Sequence, residues 1–522
     1  MTIRRKGMKN TVRFTKMHLR SYSTFYKNLL VTLIVACLGF IGTPAVSQAA
    51  GIPLNASGIY KATADDGSSI YLYRYAPYTT GTPKFRTTGT PVVVFTGICM
   101  NMNQYLSVTP PEMKSAYSAL SLPYIVSAPE WALNSSKTDF EPYIKADKMR
   151  YYSLAHYLWL QGFDPWFVNY RGTGRGAVKS KGTSPNGMNT LDTWATLDTP
   201  AAIAKVKSIT GKKMFIGGHS TGGLVSYEYL QGAYLDYGPI NTASAKKAFY
   251  QLNYSLGIMP HVKSSAALAK TRNADIKGFI GLDPAGMPPL PNLLNTNFFW
   301  TLVGLRLYLP LDDISDNLIS LFPQKPLVGL LEGVFGMINK AAAKDSAIGN
   351  FFDYLNFWVV EDMDPIMEDW TVRYSVGGAA IRAFGHYMDM GLHNTIREHY
   401  LNGSENYLSL KLTQGVAGPA AGDRYYYYSA NMSRMTVPLI VFSSTAGSLV
   451  NPQATYDFII SKKSPTAYDQ WFVLSNTGHF DLAMGKRMPT TVFPQLGAWL
   501  QSVNTLAGAP ANTSTPALRV DE

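Results

Sequence analysis

The sequence predicts an α/β fold: a mostly parallel central sheet covered by helices, with a large, mainly helical insertion after the sixth strand. Three observations carry that expectation. Short apolar runs of the kind buried on both faces alternate with helix-compatible stretches along most of the 522 residues. A G-x-S-x-G pattern, Gly218-His219-Ser220-Thr221-Gly222, stands between one such run and a helix. About 150 residues separate the run ending at Leu282 from the one starting at Val437, far more than a crossover connection needs.

The elements follow in order. From Ile59 to Ala76 a Tyr/Ile alternation is split by Asp65-Asp66-Gly67, which reads as two strands joined by a turn. Thr90-Pro91 introduces Val92-Val93-Val94-Phe95, a continuous β-branched run. Lys148 to Gln161 reads as a helix stopped by Gly162, and Asp164 to Tyr170 as the next buried strand. Leu191 to Ile209 is helical, Lys213 to Gly217 is the strand before Ser220, and Leu224 to Tyr234 the helix after it. Ile276 to Leu282, Val437 to Ser443 and Gln470 to Ser475 continue the strands. Within the long interval Asn297 to Leu309, Leu327 to Asn339 and Phe351 to Val360 have helical patterns. A smaller insertion, Asn101 to Ala146, leaves the same rim after Phe95. From Ser502 onward the chain is rich in Ala, Pro, Thr and Ser and reads as a loose tail.

Composition bounds the function. With 46% apolar and 15% charged residues the chain can bury a large core. The net charge of +12 is misleading, because residues 1–28 carry eight Lys or Arg and no acid; without them +4 remains. A nucleic-acid binder keeps its basic excess in the folded part, so no nucleic-acid partner is expected. The basic block precedes the apolar stretch Leu29 to Phe40, then Pro44 and a small-residue site at Ser47-Gln48-Ala49. That is the pattern of a cleaved export signal, placing the mature protein outside the cytoplasm, secreted or periplasmic. Ile34-Val35-Ala36-Cys37 offers an alternative, a lipid anchor at Cys37. Cys37 and Cys99 are the only cysteines, so removal of the signal leaves one thiol, Cys99, read as a small core hydrophobe. No His/Cys cluster has metal-ligand spacing, and neither metal nor cofactor is expected. The expected organisation is a signal over 1–49, a first core part over 50–283, a helical cap over 284–436, a second core part over 437–503 and a flexible tail over 504–522.

The chemistry begins at Ser220. A serine on a tight strand-to-helix turn takes a strained conformation that flanking glycines permit, and its hydroxyl is pushed out above the sheet. It needs a base, and of eight histidines His479 alone follows the last strand, in Gly478-His479-Phe480-Asp481. His219, beside the nucleophile, is expected to pack or bond locally. An acid must hold the imidazole tautomer. The loop after the strand ending at Phe442, Ser443-Ser444-Thr445-Ala446-Gly447, has no carboxylate, and Gly447 stands where an Asp is expected. Gly281-Leu282-Asp283-Pro284-Ala285, one strand earlier, supplies Asp283 instead; Asp457 and Asp481 are weaker candidates. The oxyanion hole needs two backbone N–H groups, assigned to Thr221 and to Ile98 in the loop after Phe95.

Several segments carry a family likeness. Ala64-Asp65-Asp66-Gly67 with Arg74, the stretch Gly162 to Gly172, the serine elbow Gly218-His219-Ser220-Thr221-Gly222, Val437-Pro438-Leu439 and Gly478-His479-Phe480-Asp481 occur in an order that resembles the α/β-hydrolase superfamily, nearest the gastric and lysosomal acid lipase group. The likeness runs patchily from Gly58 to Lys486 and hardly touches the cap. It departs at Gly447, where acid lipases carry Asp, and the Asp283 segment looks like the pancreatic-type lipase position. The resemblance implies a serine esterase or lipase with a shifted acid.

The expected reaction is hydrolysis of a carboxylic ester with an apolar acyl group, on a small-molecule or lipid substrate, with the cap as a site of lipid-surface contact. Acyl transfer, amide or peptide cleavage on the same machinery, and a catalytically silent lipid-binding homologue stay open as alternatives.

Overall fold

The computed structural model describes residues 52–77, 82–240, 244–248, 260–286, 306–321, 362–399, 425–447, 449–506 and 517–521, with a few isolated positions besides. In chain order its strands are β1 (Ile59–Thr63), β2 (Ser69–Arg74), β3 (Pro91–Phe95), β4 (Asp164–Asn169), β5 (Met214–His219), β6 (Ala233–Asp236), β7 (His261–Ser264), β8 (Ile276–Leu282), β9 (Tyr308–Leu309), β10 (Ala379–Ala380), β11 (Leu439–Ser444), β12 (Gln470–Leu474) and β13 (Leu518–Asp521).

Nine of them form one sheet in the order β1-β2-β4-β3-β5-β8-β11-β12-β13. Strand β2 is antiparallel to both of its neighbours, and every other adjacent pair is parallel. The parallel strands at the centre are buried throughout because helices cover both faces, which is why β3, β5 and β11 read as continuous apolar runs. Alternate residues go to opposite cores. Val93, Ile216, Phe279 and Val441 belong to one, whereas Val92, Phe215, Ile280 and Ile440 belong to the other. From β3 the chain steps outward to β4 and then back across to β5, so the strand order reverses between β3 and β5. In sheets of this kind ligands are held at the carboxyl ends of the strands where the order reverses.

Buried charge pairs pin the early strands. Arg74 meets Asp164 at 2.7 Å, and Arg171, beyond the end of β4, lies between Asp66 (2.7 Å) and Asp198 (2.6 Å), all three buried. Removing one partner of such a pair leaves an uncompensated buried charge. Desolvation pushes Asp198 up to about 6 despite Arg171.

Several expectations shift. The predicted helix over 148–161 is a 3-10 turn, Lys148–Tyr152, followed by a helix Leu154–Leu160 that Ser153 caps through its side chain. The helix after Ser220 runs Thr221–Leu230, not to Tyr234. Gly232, at φ +76°, turns the chain out of it, and Ala233–Asp236 pairs with β7 in a separate hairpin. The C-terminal stretch read as a loose tail contains β13, which adds to the sheet edge beside β12. Its Ala/Pro/Thr-rich approach masked the short Leu518-Arg519-Val520 alternation. In the long insertion, Tyr308 and Leu309 form a short strand with Ala379–Ala380 rather than the end of a helix. The described helices there are Leu311–Leu321, Pro365–Trp370 and Ile381–Leu392. The expected helices over 327–339 and 351–360, most of that over 297–309, and the signal segment with Cys37 lie outside the described residues.

Candidate active site

Ser220 follows β5 directly and precedes the helix Thr221–Leu230. Its backbone sits at φ 56°, ψ −127°, a conformation that costs a non-glycine residue on the order of 1–3 kcal/mol and is held only by its surroundings. Those surroundings are tight. The Ser220 N–H donates to Leu282 O at 3.0 Å, and its carbonyl accepts from Ala285 N at 2.8 Å and Gly223 N at 3.0 Å. A Cβ at Gly218 or at Gly222 would lie 2.1 or 2.3 Å from Phe95 O, so the two motif glycines let the turn close against β3. Tyr105 locks the same junction. Its buried hydroxyl donates to Phe95 O (2.8 Å) and accepts from His219 N (3.0 Å), tying the ends of β3 and β5 together.

Asp283 is the first residue beyond β8, with φ 45° and its N–H donating to Phe442 O at 2.7 Å. Its carboxylate takes three donors. Ser444 N donates to Oδ1 at 3.0 Å, and Ser444 Oγ donates to Oδ2 at 2.7 Å. His479 Nδ1 lies 2.7 Å from the same Oδ2. Asp283 and His479 are both buried. An ionised carboxylate can only accept, so the proton of this contact sits on His479 Nδ1. Among the described residues no hydrogen bond joins Ser220 Oγ to His479.

Structure thus brings Asp283 to His479, whereas the two weaker acids lie elsewhere. Asp457 is exposed and accepts from Gln453 Nε2 at 2.9 Å. Asp481 is buried and accepts from Gly478 N at 2.6 Å, fixing the loop that carries His479. His219 is a neighbour rather than a second base. Its Nε2–H donates to His479 O at 2.8 Å, and the two rings lie 4.4 Å apart. Burial holds His219 well below the ordinary histidine range, so it stays neutral.

Gly447 now has a physical reason. A Cβ there would meet Ser444 Oγ at 2.5 Å and His479 N at 3.0 Å. The space in which a carboxylate was expected is filled by the Ser444 hydroxyl and the His479 backbone.

Thr221 and Ile98 are the residues expected from the sequence to donate to an oxyanion. Thr221 is the first residue of the helix, and among the described residues neither N–H donates to a loop, cap or side-chain acceptor. The Ile98 loop lies against Ser220, since a Cβ at Gly97 would stand 3.1 Å from Ser220 Cβ. Cys99 follows in the left-handed region at φ 61° and packs, partly buried, against the core, with burial pushing its thiol up to about 12. The insertion holds this loop from outside. Gly377 N donates to Cys99 O, Asn101 N to Ser375 O (both 2.8 Å), and Asn101 Nδ2 reaches Val376 O at 2.7 Å.

Ser444 and Tyr105 are absent from the sequence-derived site. A serine or tyrosine in a strand or loop carries no pattern that reports a carboxylate 161 positions away. Asp481 was weighed only as the acid, and its grip on Gly478 is a local turn contact.

No protein-family model matches the chain, and no curated protein matches it in sequence. Similar solved structures include a bacterial membrane phospholipase A (9% identity, TM-score 0.38, covering 95% of this chain and 97% of that one). A soluble variant of monoglyceride lipase from Saccharomyces cerevisiae is similar at 12% identity and TM-score 0.38, covering 89% and 99%. A thermophilic esterase from Thermogutta terrifontis is similar at 13% identity and TM-score 0.34, covering 86% and 99%. At those TM-scores they add nothing to the sheet order. By that order, with one reversed strand near the edge and a serine elbow at the switch point, the chain has the α/β-hydrolase fold.

Proposed function

We propose that this chain is a serine hydrolase of carboxylic esters with an apolar acyl portion, working through Ser220, His479 and Asp283. The contact between His479 Nδ1 and Asp283 Oδ2, beside a serine in a strained turn, is the observation that carries this reading. Asp283 fixes the tautomer that leaves Nε2 of His479 unprotonated. Nε2 takes the proton as Ser220 Oγ adds to the ester carbonyl, and the carboxylate steadies the imidazolium that results. The N–H groups of Thr221 and Ile98 receive the negative charge that develops on the carbonyl oxygen. The imidazolium then protonates the departing alcohol, and water attacks the acyl-enzyme by the same route in reverse.

An apolar acyl group is supported by the insertion. Met363, Met367 and Trp370 are buried in the same core as Met100, Met102 and Leu106 of the loop beside the nucleophile. We read 284–436 as a cap over Ser220, the surface that would meet a lipid substrate, and the mature protein as exported with the signal removed.

A nitrophenyl ester series from acetate to long chains tests this directly. The reading predicts turnover that rises with chain length and vanishes in Ser220→Ala. Absence of turnover across the series contradicts it, and a preference for acetate contradicts the apolar acyl pocket alone.

A further inference from the structure

We infer that Ser444 is a positioning residue that acts through the acid, a role that rests on the proposed function. Ser444 ends β11, immediately beside β8, whose last residue precedes Asp283. It is fully buried and grips the carboxylate twice, by its N–H at Oδ1 (3.0 Å) and by its hydroxyl at Oδ2 (2.7 Å). Two donors from one residue, placed on opposite oxygens, set the plane of the carboxylate. One bond on each oxygen restrains the group about its last torsion, which is soft for Asp.

Which oxygen faces the imidazole follows from that grip. Oδ2 is shared by the Ser444 hydroxyl and His479 Nδ1, each at 2.7 Å, so the ring is aimed by a carboxylate that the neighbouring strand holds still. Gly447 completes the arrangement. Any side chain there would press on Ser444 Oγ, 2.5 Å from its Cβ, and drive the hydroxyl off the carboxylate. Across β8 and β11, then, Asp283 supplies the charge and the last residue of β11 supplies its orientation. The hydroxyl itself touches neither the nucleophile nor the developing oxyanion. Its contribution passes wholly through Asp283.

Steady-state kinetics on a turned-over nitrophenyl ester test this, with Ser444→Ala, Ser444→Thr, Asp283→Ala and the double variant Ser444→Ala/Asp283→Ala. Losing a hydrogen bond to a charged group is expected to lower kcat about 10- to 100-fold in Ser444→Ala. KM should stay within about twofold, as for a group that acts only on the chemical step. Ser444→Thr, which keeps the hydroxyl, should recover most of the rate. In the Asp283→Ala background the Ser444→Ala change should cost nothing further, because residues that act as one unit are not additive. Full activity of Ser444→Ala, an equal loss in Ser444→Thr, or losses that add in the double variant would each overturn the inference. Labelling of Ser220 by a fluorophosphonate separates this from the underlying reading. A wild type that neither labels nor hydrolyses contradicts both, and a labelled wild type with an equally fast Ser444→Ala contradicts this inference alone.

Discussion

Oδ2 of Asp283 lies 2.7 Å from Nδ1 of His479, although 196 positions separate the two residues in the chain. The contact is made because the ends of β8 and β12 meet at the same rim, with β11 between the two strands. Asp283→Asn removes the charge while keeping the shape. Turnover is expected to fall on the order of 10⁴-fold with the fold intact, read by ester kinetics beside a thermal melt.

Tyr105 joins β3 to the elbow through a single hydroxyl, between Phe95 O and His219 N. Tyr105→Phe leaves a buried carbonyl and a buried N–H without their partner. That should cost about 1–3 kcal/mol in urea denaturation and lower kcat more than it changes KM. An unchanged denaturation midpoint would show that the hydroxyl does not hold the junction.

Gly447 is where a side chain has no room. Gly447→Ala puts a methyl 2.5 Å from Ser444 Oγ and 3.0 Å from His479 N. Overpacking of this kind costs about 1–3 kcal/mol, and the same displacement should depress kcat. Gly447→Asp should fare worse rather than supply a second acid.

Asp362 stands at the start of the described part of the insertion that ends at residue 399, and its side chain is buried. Burial pushes it up to about 6, with Arg487, Lys486 and a Thr477 hydrogen bond pulling the other way. A carboxyl raised in the folded state binds its proton more tightly there than in the unfolded chain. Its contribution is therefore fully present at low pH and is lost as pH rises from about 4 through about 6. Asp362→Asn mimics the protonated form. It should leave the melting temperature unchanged at pH 4 and raise it by about 1–3 °C at pH 8, read by calorimetry across that range. A gain of equal size at both pH values would contradict the assignment.

Much of the fold could be read from the residues because fully buried parallel strands leave dense apolar runs. Ile276 to Leu282 was expected and found to the residue, and β3, β4, β5, β11 and β12 to within one or two. What failed was local punctuation. Ser153 caps a second helix inside one apolar stretch, Gly232 ends the elbow helix early, and β13 hides behind an Ala/Pro/Thr-rich approach. In the site, Ser220, His479 and Asp283 could be proposed because each ends or follows a strand at a known place in the order. Ser444 could not, since its role depends on an oxygen brought to it across a strand pair. The missing carboxylate at 447 was visible, but the crowding that excludes it was not.

The central claim is that Ser220 is a nucleophile activated by His479 and Asp283. Mass spectrometry after treatment with a fluorophosphonate reads that claim without knowledge of the natural ester. The account predicts a single covalent adduct on the peptide carrying Ser220, absent in Ser220→Ala and formed far more slowly in His479→Ala. No adduct, or one on another residue, would contradict it.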